Sequence, residues 1–398
     1  MIYRFGPHAL DTERHEFRQA DRLIPLEPQV FDLLVYLIES RGRMVTRDEI
    51  IEAVWDGRII SDAAIGARIN AVRTAVGDDG KRQQVVKTVP RRGFRFVAPV
   101  EISGGAAPAA GEAASEKAGR QKIRFCRSPD GVRIAYAQSG QGAPMVKAGH
   151  WLTHLEYDWQ SPVWRPLLEA LGASFTITRY DQRGNGLSDW RVTDFSLPRL
   201  VGDLEAVTDA TGLDRFVIYG TSQGVPIALS YAARHPERVK ALILQGGFIK
   251  GRMRRADAAE REQAQAYHVL IRYGWGQEGS QFFQSFASMF IPDATAEQLG
   301  WFVELQKHST NGEIAYRLRQ ALDDIDISDV PERIAAPTLV IHARNDGIQP
   351  FAQGLELAAA IPNAEFVPLE SRNHIILRED REWPRLIATI REFADRHR

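Results

Sequence analysis

The sequence predicts an α/β fold with a mostly parallel sheet, preceded by a smaller α+β unit. Three observations carry this. Beyond residue 122, apolar β runs alternate with helical patterns, the grammar of a sheet covered by helices. One of those runs ends in Gly220-Thr-Ser222-Gln-Gly224 and passes at once into a helical pattern. Before residue 100 the order differs: short β-like segments are followed by three amphipathic helical patterns, then two short β runs joined through Pro90-Arg-Arg-Gly93.

The bulk properties set the frame. At 398 residues the chain has room for two or three domains. A 44% hydrophobic and 25% charged composition is that of a globular protein, and a net charge of −1 points to no polyanionic partner for the chain as a whole. Locally the balance shifts. Residues 1–57 carry seven Lys/Arg against eleven Asp/Glu, and residues 58–97 carry nine against three. Such asymmetry is what a phosphate-binding face looks like, and equally a solvated basic face. The single cysteine, Cys126, excludes an intrachain disulfide and fits a reducing compartment. No apolar run approaches the roughly 18 residues of a membrane span, and the N-terminus lacks a signal-peptide pattern. A cytoplasmic protein without a membrane partner is expected.

Within the first hundred residues, β-like segments at 3–5, 16–18 and 22–24 are punctuated by Gly6-Pro7 and Pro25. Val30, Leu33, Leu34, Leu37 and Ile38 then form one stripe of a 3.6-residue period. Thr46 and Glu49 make a capping box for a second helix, with Ile50, Ile51, Val54 and Trp55 turned to the core. Ser61 or Asp62 caps a third, whose Ile65, Ile69, Val72 and Val76 share a narrow face and which Gly77 ends. A hairpin over 85–97 with two arginines at its tip closes the unit. Three helices and a basic-tipped hairpin are the order of a winged helix-turn-helix. The segment resembles the effector domains of OmpR/PhoB-type response regulators and their CadC-type relatives. Residues 26–37, Gly42-Arg-Met-Val-Thr-Arg47, Val54-Trp55, Ile69-Asn-Ala-Val-Arg73 and Lys87-Thr-Val-Pro-Arg-Arg-Gly-Phe-Arg-Phe96 carry the likeness. The resemblance implies that double-stranded DNA is the partner, the third helix entering the major groove. Its implied contacts are Arg68 and Arg73 on the helix, Thr88, and Arg91 and Arg92 on the wing, with Asn70 suited to an adenine edge. Ala71 stands where the family often places a base-reading Arg, so no operator is implied.

Residues 101–121 are rich in Ala, Gly and Glu and offer no apolar face, so a flexible tether is expected there between a 1–100 domain and a 122–398 domain. The second domain opens with β runs at 123–127, 132–137 and 145–149. A helix at 164–171, a strand at 175–180 and a helix at 195–210 precede the 216–221 run that ends at Ser222. The Gly-x-Ser-x-Gly spacing in a strand–turn–helix is a nucleophile elbow. A serine hydroxyl needs a base, and the base needs an orienting carboxylate. Asp346 follows the 338–342 run and His374 follows the 365–368 run, both on loops at the edge that carries Ser222. The region resembles the α/β-hydrolase superfamily, and within it a subgroup fused to regulatory domains. Trp151-Leu-Thr-His-Leu-Glu-Tyr-Asp-Trp159, Arg179-Tyr-Asp-Gln-Arg-Gly-Asn-Gly-Leu-Ser-Asp189, Tyr231-Ala-Ala-Arg-His-Pro-Glu-Arg-Val239 and Arg372-Asn-His374 carry that likeness.

The superfamily pattern implies a catalytic Ser222–His374–Asp346 triad and an oxyanion hole made by the N–H groups of Gln223 and Trp151. In the loop after the third strand the superfamily usually has His-Gly. Here Gly149-His150-Trp151 puts a side chain, His150, where a glycine is expected, as an oxyanion-loop residue, a ligand contact or a space-filler. Residues 248–330 correspond to a helical cap rich in aromatics, which favours an apolar or aromatic small molecule. No cofactor and no metal are called for. The leading expectation is a DNA-binding, one-component regulator, working as a homodimer, whose hydrolase-fold domain binds a small effector, whether or not it also hydrolyses it. The alternative is a working serine hydrolase of esters, lactones or amides, with the winged helix serving autoregulation or localisation.

Overall fold

A computed structural model describes residues 2–12, 16–19, 22–24, 26–41, 43–55, 62–89, 92–103, 121–255, 258–275 and 282–397. The chain divides into two compact units, Met1–Ala113 and Ala114–Arg398, each taken by itself below.

The first unit runs β1 (Ile2–Phe5), β2 (His8–Asp11), β3 (Glu16–Gln19), β4 (Arg22–Leu23), α1 (Pro28–Glu39), α2 (Arg47–Trp55), α3 (Asp62–Ala75), β5 (Val86–Val89), β6 (Gly93–Phe96) and β7 (Glu101–Ser103). The first four strands form an antiparallel meander, and β7 returns to pair with β1, Tyr3 opposite Ile102. That return differs from the expected tether. The start of 101–121 satisfies the free edge of β1 with backbone hydrogen bonds, a demand that composition does not register. Residues 104–120 lie outside the described residues. Strand β2 is also absent from the sequence reading, since four residues are too short a run to alternate visibly.

The helices follow their stripes. Leu33, Leu34, Leu37 and Ile38 of α1 and Ile65, Ile69 and Val72 of α3 are buried against one another and against Phe5, Phe17 and Phe96. The α2 capping box is formed: Thr46 N–H donates to Glu49 Oε2 at 2.7 Å, and Glu49 N–H donates to Thr46 Oγ1 at 3.2 Å. Gly77, at φ +67°, ends the last turn of α3. The β5–β6 hairpin is pinned by reciprocal bonds of 2.8 Å between Val45 and Phe94. This is a winged-helix arrangement.

In the second unit the order is β8 (Lys122–Arg127), β9 (Arg133–Gly140), β10 (Ala143–Lys147), α4 (Leu155–Gln160), α5 (Arg165–Gly172), β11 (Phe175–Tyr180), α6 (Leu197–Ala210), β12 (Phe216–Thr221), α7 (Gly224–Arg234) and β13 (Val239–Gln245). An insertion follows, made of α8 (Arg252–Arg255), α9 (Ala258–Gly274), α10 (Phe282–Phe290), α11 (Ala296–Ser309) and α12 (Gly312–Asp323). The chain then resumes with β14 (Thr338–Ala343), α13 (Phe351–Ala360), β15 (Glu365–Leu369) and α14 (Trp383–Arg396). The eight strands are ordered β15-β14-β13-β12-β10-β11-β9-β8; β10 through β15 are parallel, and β8 and β9 are antiparallel at one edge. Every residue of β12 and β14 is buried, as expected of strands with helices on both faces. Strand β10 lies between β11 and β12, so the chain order reverses there, and the crevice beyond the carboxyl ends of such strands is where open α/β sheets bind ligands.

The helical insertion is a cap with its own aromatic core. Trp275, Phe283, Phe286, Phe290 and Phe302 are buried, and Tyr273 is exposed. Its two ends leave the sheet side by side: Gly251 N–H donates to Ile325 O at 2.7 Å and Ile327 N–H to Ile249 O at 3.1 Å. Removing the Thr46 hydroxyl (Thr46→Ala) is expected to cost the first unit about 1 kcal/mol, read as a lower denaturation midpoint of that unit's transition in urea.

Candidate active site

Ser222 stands on the turn between β12 and α7 with φ +53°, a left-handed conformation that a non-glycine residue holds only when its surroundings impose it. They do. Its N–H donates to Gln245 O on β13 at 2.8 Å. A Cβ at position 220 would lie 2.9 Å from Gly224 O, and a Cβ at position 224 would lie 3.1 Å from Gly149 O. Strand, helix and the loop after β10 therefore close together only because both positions lack side chains.

The carboxylate and the imidazole meet as expected. His374 Nδ1 lies 2.6 Å from Asp346 Oδ2, and Asp346 Oδ1 accepts the N–H groups of Ile348 at 2.8 Å and Gln349 at 3.0 Å. Burial raises the pKa of Asp346, but His374 and those backbone donors outweigh it, and the carboxyl is held below its ordinary value. A carboxylate on Nδ1 puts that proton on Nδ1 and leaves Nε2 as the basic nitrogen. Ser222 and His374 line one cavity, with no hydrogen bond between them among the described residues. Unliganded catalytic contacts commonly stand looser than in the reacting complex. The backbone N–H groups of Gln223 and Trp151 likewise donate to no protein acceptor among the described residues.

Several residues that sequence reasoning passed over hold this arrangement. Gln223 Nε2 donates to Gln182 Oε1 at 2.8 Å, and Gln182 Nε2 donates to His150 O at 3.0 Å, a chain of amides joining the Ser222 turn to the loop after β10. Arg183, buried, binds Asp203 and Asp130, each at 2.8 Å, and so anchors the loop that carries Gln182. Gly246, at φ +60°, faces the imidazole: a Cβ there would lie 3.0 Å from His374 Cε1. The His374 N–H donates to Phe290 O of the cap at 2.9 Å. Asn373 Nδ2 donates to Asp380 Oδ2 at 2.9 Å and steadies the same loop. Of these, the glycine after β13 was the one available signal.

His150 is buried. Its ring stacks on Trp164 at 4.5 Å, its Nδ1 lies 2.9 Å from Trp151 O, and burial together with Lys147 pushes its pKa well down. The side chain at this position is accommodated by its stack on Trp164 and its contact with the Trp151 carbonyl. Trp151 packs edge-on against Trp275 and Phe286 of the cap. The cavity of about 30 Å³ is lined mainly by apolar groups, including Val163, Leu167, Phe290, Phe302 and Leu386.

In the first unit the expected DNA contacts divide. Asn70 and Arg92 are exposed, and Arg68 is ion-paired with Glu27. Arg91 lies outside the described residues. Arg73 and Thr88 depart from the expected phosphate contacts: the Arg73 guanidinium, 6% exposed, donates to Val86 O at 2.8 Å and to Thr88 Oγ1 at 2.8 Å. Buried donors are spent on internal acceptors, and here they tie α3 to β5.

Placing a methyl group beside the imidazole (Gly246→Ala) is expected to displace His374 and slow fluorophosphonate labelling of Ser222 by about 10- to 100-fold, measured as a second-order rate constant.

Comparison with known proteins agrees with the fold of the two units. Residues 21–96 match the family described as transcriptional regulatory protein, C terminal, and residues 158–380 match the α/β hydrolase fold family. A pyrrolizixenacetamide deacetylase of Xenorhabdus hominickii is 26% identical over 60% of this chain and 87% of its own. The AB hydrolase superfamily protein YisY of Bacillus subtilis is 25% identical over 68% of this chain and 98% of its own. Among solved structures, a hydrolase from Pseudomonas aeruginosa superposes with a TM-score of 0.57 at 23% identity, covering 69% of this chain and 98% of that one, a likeness of fold. With more than half of its length matched by one family, and a winged-helix unit fused ahead of it, the chain belongs to the α/β-hydrolase fold family.

Proposed function

We propose that the chain is a serine hydrolase acting on a small ester, lactone or amide. The observation that carries this reading is the 2.6 Å His374–Asp346 contact at the rim of the cavity that Ser222 lines. The relatives, hydrolases by name, favour it over the regulator expected first. In this reading Ser222 Oγ attacks the substrate carbonyl carbon as its proton passes to His374 Nε2. The oxyanion accepts hydrogen bonds from the N–H groups of Gln223 and Trp151. The carbonyl re-forms, the bond to the leaving group breaks, and that group takes the proton from His374. Water then repeats the sequence on the acyl-enzyme and frees Ser222. Asp346 stays ionised throughout and holds the imidazole.

Fluorophosphonate is expected to label the protein stoichiometrically by intact mass, with no labelling after Ser222→Ala. Asp346→Asn is expected to lower kcat on a short p-nitrophenyl ester by about 10⁴-fold. A wild-type protein that neither labels nor turns over would sink the reading.

A second reading rests on the N-terminal match to transcriptional regulators and on exposed Asn70, Lys87, Arg92 and Arg95 around α3 and the hairpin. In it the first unit binds duplex DNA, as a homodimer, and the hydrolase-fold unit senses or processes an apolar effector in the cytoplasm. Binding to a duplex pool is expected to weaken as salt rises, and Arg92→Ala to reduce the slope of log K against log salt by about 1. Binding that ignores salt would reject it.

A further inference from the structure

Gln182 follows β11, is buried, and bonds both to the Ser222 turn and to the loop after β10. The roles of its amide follow from its partners. His150 O can only accept, so the Gln182 NH₂ faces it at 3.0 Å; Oε1 is then turned to Gln223, which donates through Nε2 at 2.8 Å. A third bond runs from the Gln182 N–H to Thr153 Oγ1 at 3.3 Å. The loop after β10 is thus held at residues 150 and 153, on either side of Trp151-Leu152. Between those anchors Leu152 has φ +53°, a left-handed conformation that a leucine keeps only under constraint.

The bond to His150 O bears on the chemistry. The C=O of His150 and the N–H of Trp151 belong to one planar peptide unit and point in opposite directions. A donor that fixes the oxygen therefore fixes the aim of the N–H, and by polarising the peptide it makes that N–H the stronger donor. The bond from Gln223 ties the same side chain to the residue whose N–H is the other oxyanion donor of the serine-hydrolase reading. We propose that Gln182 is the positioning residue of the oxyanion site: it aims the Trp151 N–H and holds that peptide in register with the Gln223 turn. The proposal rests on the serine-hydrolase reading for the oxyanion, while the clamp on the loop stands apart from it.

Gln182→Met keeps the side-chain length and removes both amide bonds. In the full-length protein it is expected to lower kcat on p-nitrophenyl acetate by about 10- to 100-fold with KM within about twofold, since an oxyanion donor acts as charge develops on the oxygen. Gln182→Glu separates aim from packing. Its carboxylate accepts from Gln223 but has no proton for His150 O; once protonated, it donates there. Burial beside a carbonyl raises a carboxyl pKa, so lowering the pH from about 8 to about 5.5 restores that proton. Divided by wild type at the same pH, the kcat of Gln182→Glu should rise as the pH falls, which a loss of packing does not produce. A Gln182→Met kcat within about twofold of wild type, a loss carried by KM instead, or a Gln182→Glu ratio that does not rise as the pH falls overturns the proposal. If Gln182→Met does not fold, the Gln182→Glu ratio decides alone. If the wild-type protein turns over no ester, the hydrolase reading fails on its own, and the clamp is judged by hydrogen exchange. Peptides covering residues 148–154 should then exchange at least about threefold faster in Gln182→Glu at neutral pH, with the sheet unchanged. Equal exchange there overturns the clamp as well.

Discussion

At the carboxyl edge of the sheet, three stretches of backbone approach more closely than side chains permit. β12, the first turn of α7 and the loop after β10 meet at Gly220, Gly224 and Gly149. The turn that carries Ser222 is a consequence of that crowding. It forces Ser222 into its left-handed conformation, at a cost on the order of 1–3 kcal/mol. The cost is borne by the fully buried strands beneath, whose packing leaves the turn no alternative path.

The parts of this site that were legible in the sequence are those specified by local order. A serine in a glycine-flanked strand–helix turn, an Asp after one strand and a His after the next all announce themselves through spacing. What was not legible depends on contacts through space. Gln182 lies 41 positions from Gln223, and nothing in either neighbourhood says that their amides meet. Phe290 O reaches His374 from the cap, 84 positions away. In the first unit, helical periodicity located α1 and α3 from their apolar stripes. The resemblance to regulator effector domains made Arg73 of α3 a phosphate contact. Its guanidinium instead found carbonyl and hydroxyl acceptors on β5, which only the tertiary fold brings near.

The two units carry different kinds of information about function. The second has a serine on a tight strand–helix turn, a paired carboxylate and imidazole, and relatives that are hydrolases by name. The first has the order of elements and the exposed polar face of a regulator's effector domain. A ligand site and a reaction centre make the same demands up to the moment of bond making: an enclosed cavity, fixed donors, excluded water. Bond making adds one requirement, a nucleophile able to pass its proton to a base, and that is where the two uses of such a domain part.

The bond from the His374 N–H to Phe290 O has a kinetic meaning. Besides its two ends, where residues 249–251 lie against residues 325–327, the cap is tied down by Gly186 N–H donating to Ser309 O at 2.8 Å and Thr310 Oγ1 donating to Gly184 O at 2.7 Å. Any displacement of α10 that uncovered Ser222 would take Phe290 with it and release the loop that positions the imidazole. Uncovered, the site would be accessible but disarmed; covered, it is armed but closed to exchange. Access and reactivity would then alternate, as the two gates of a lock do, and bulk water would meet the serine only while its base is out of place.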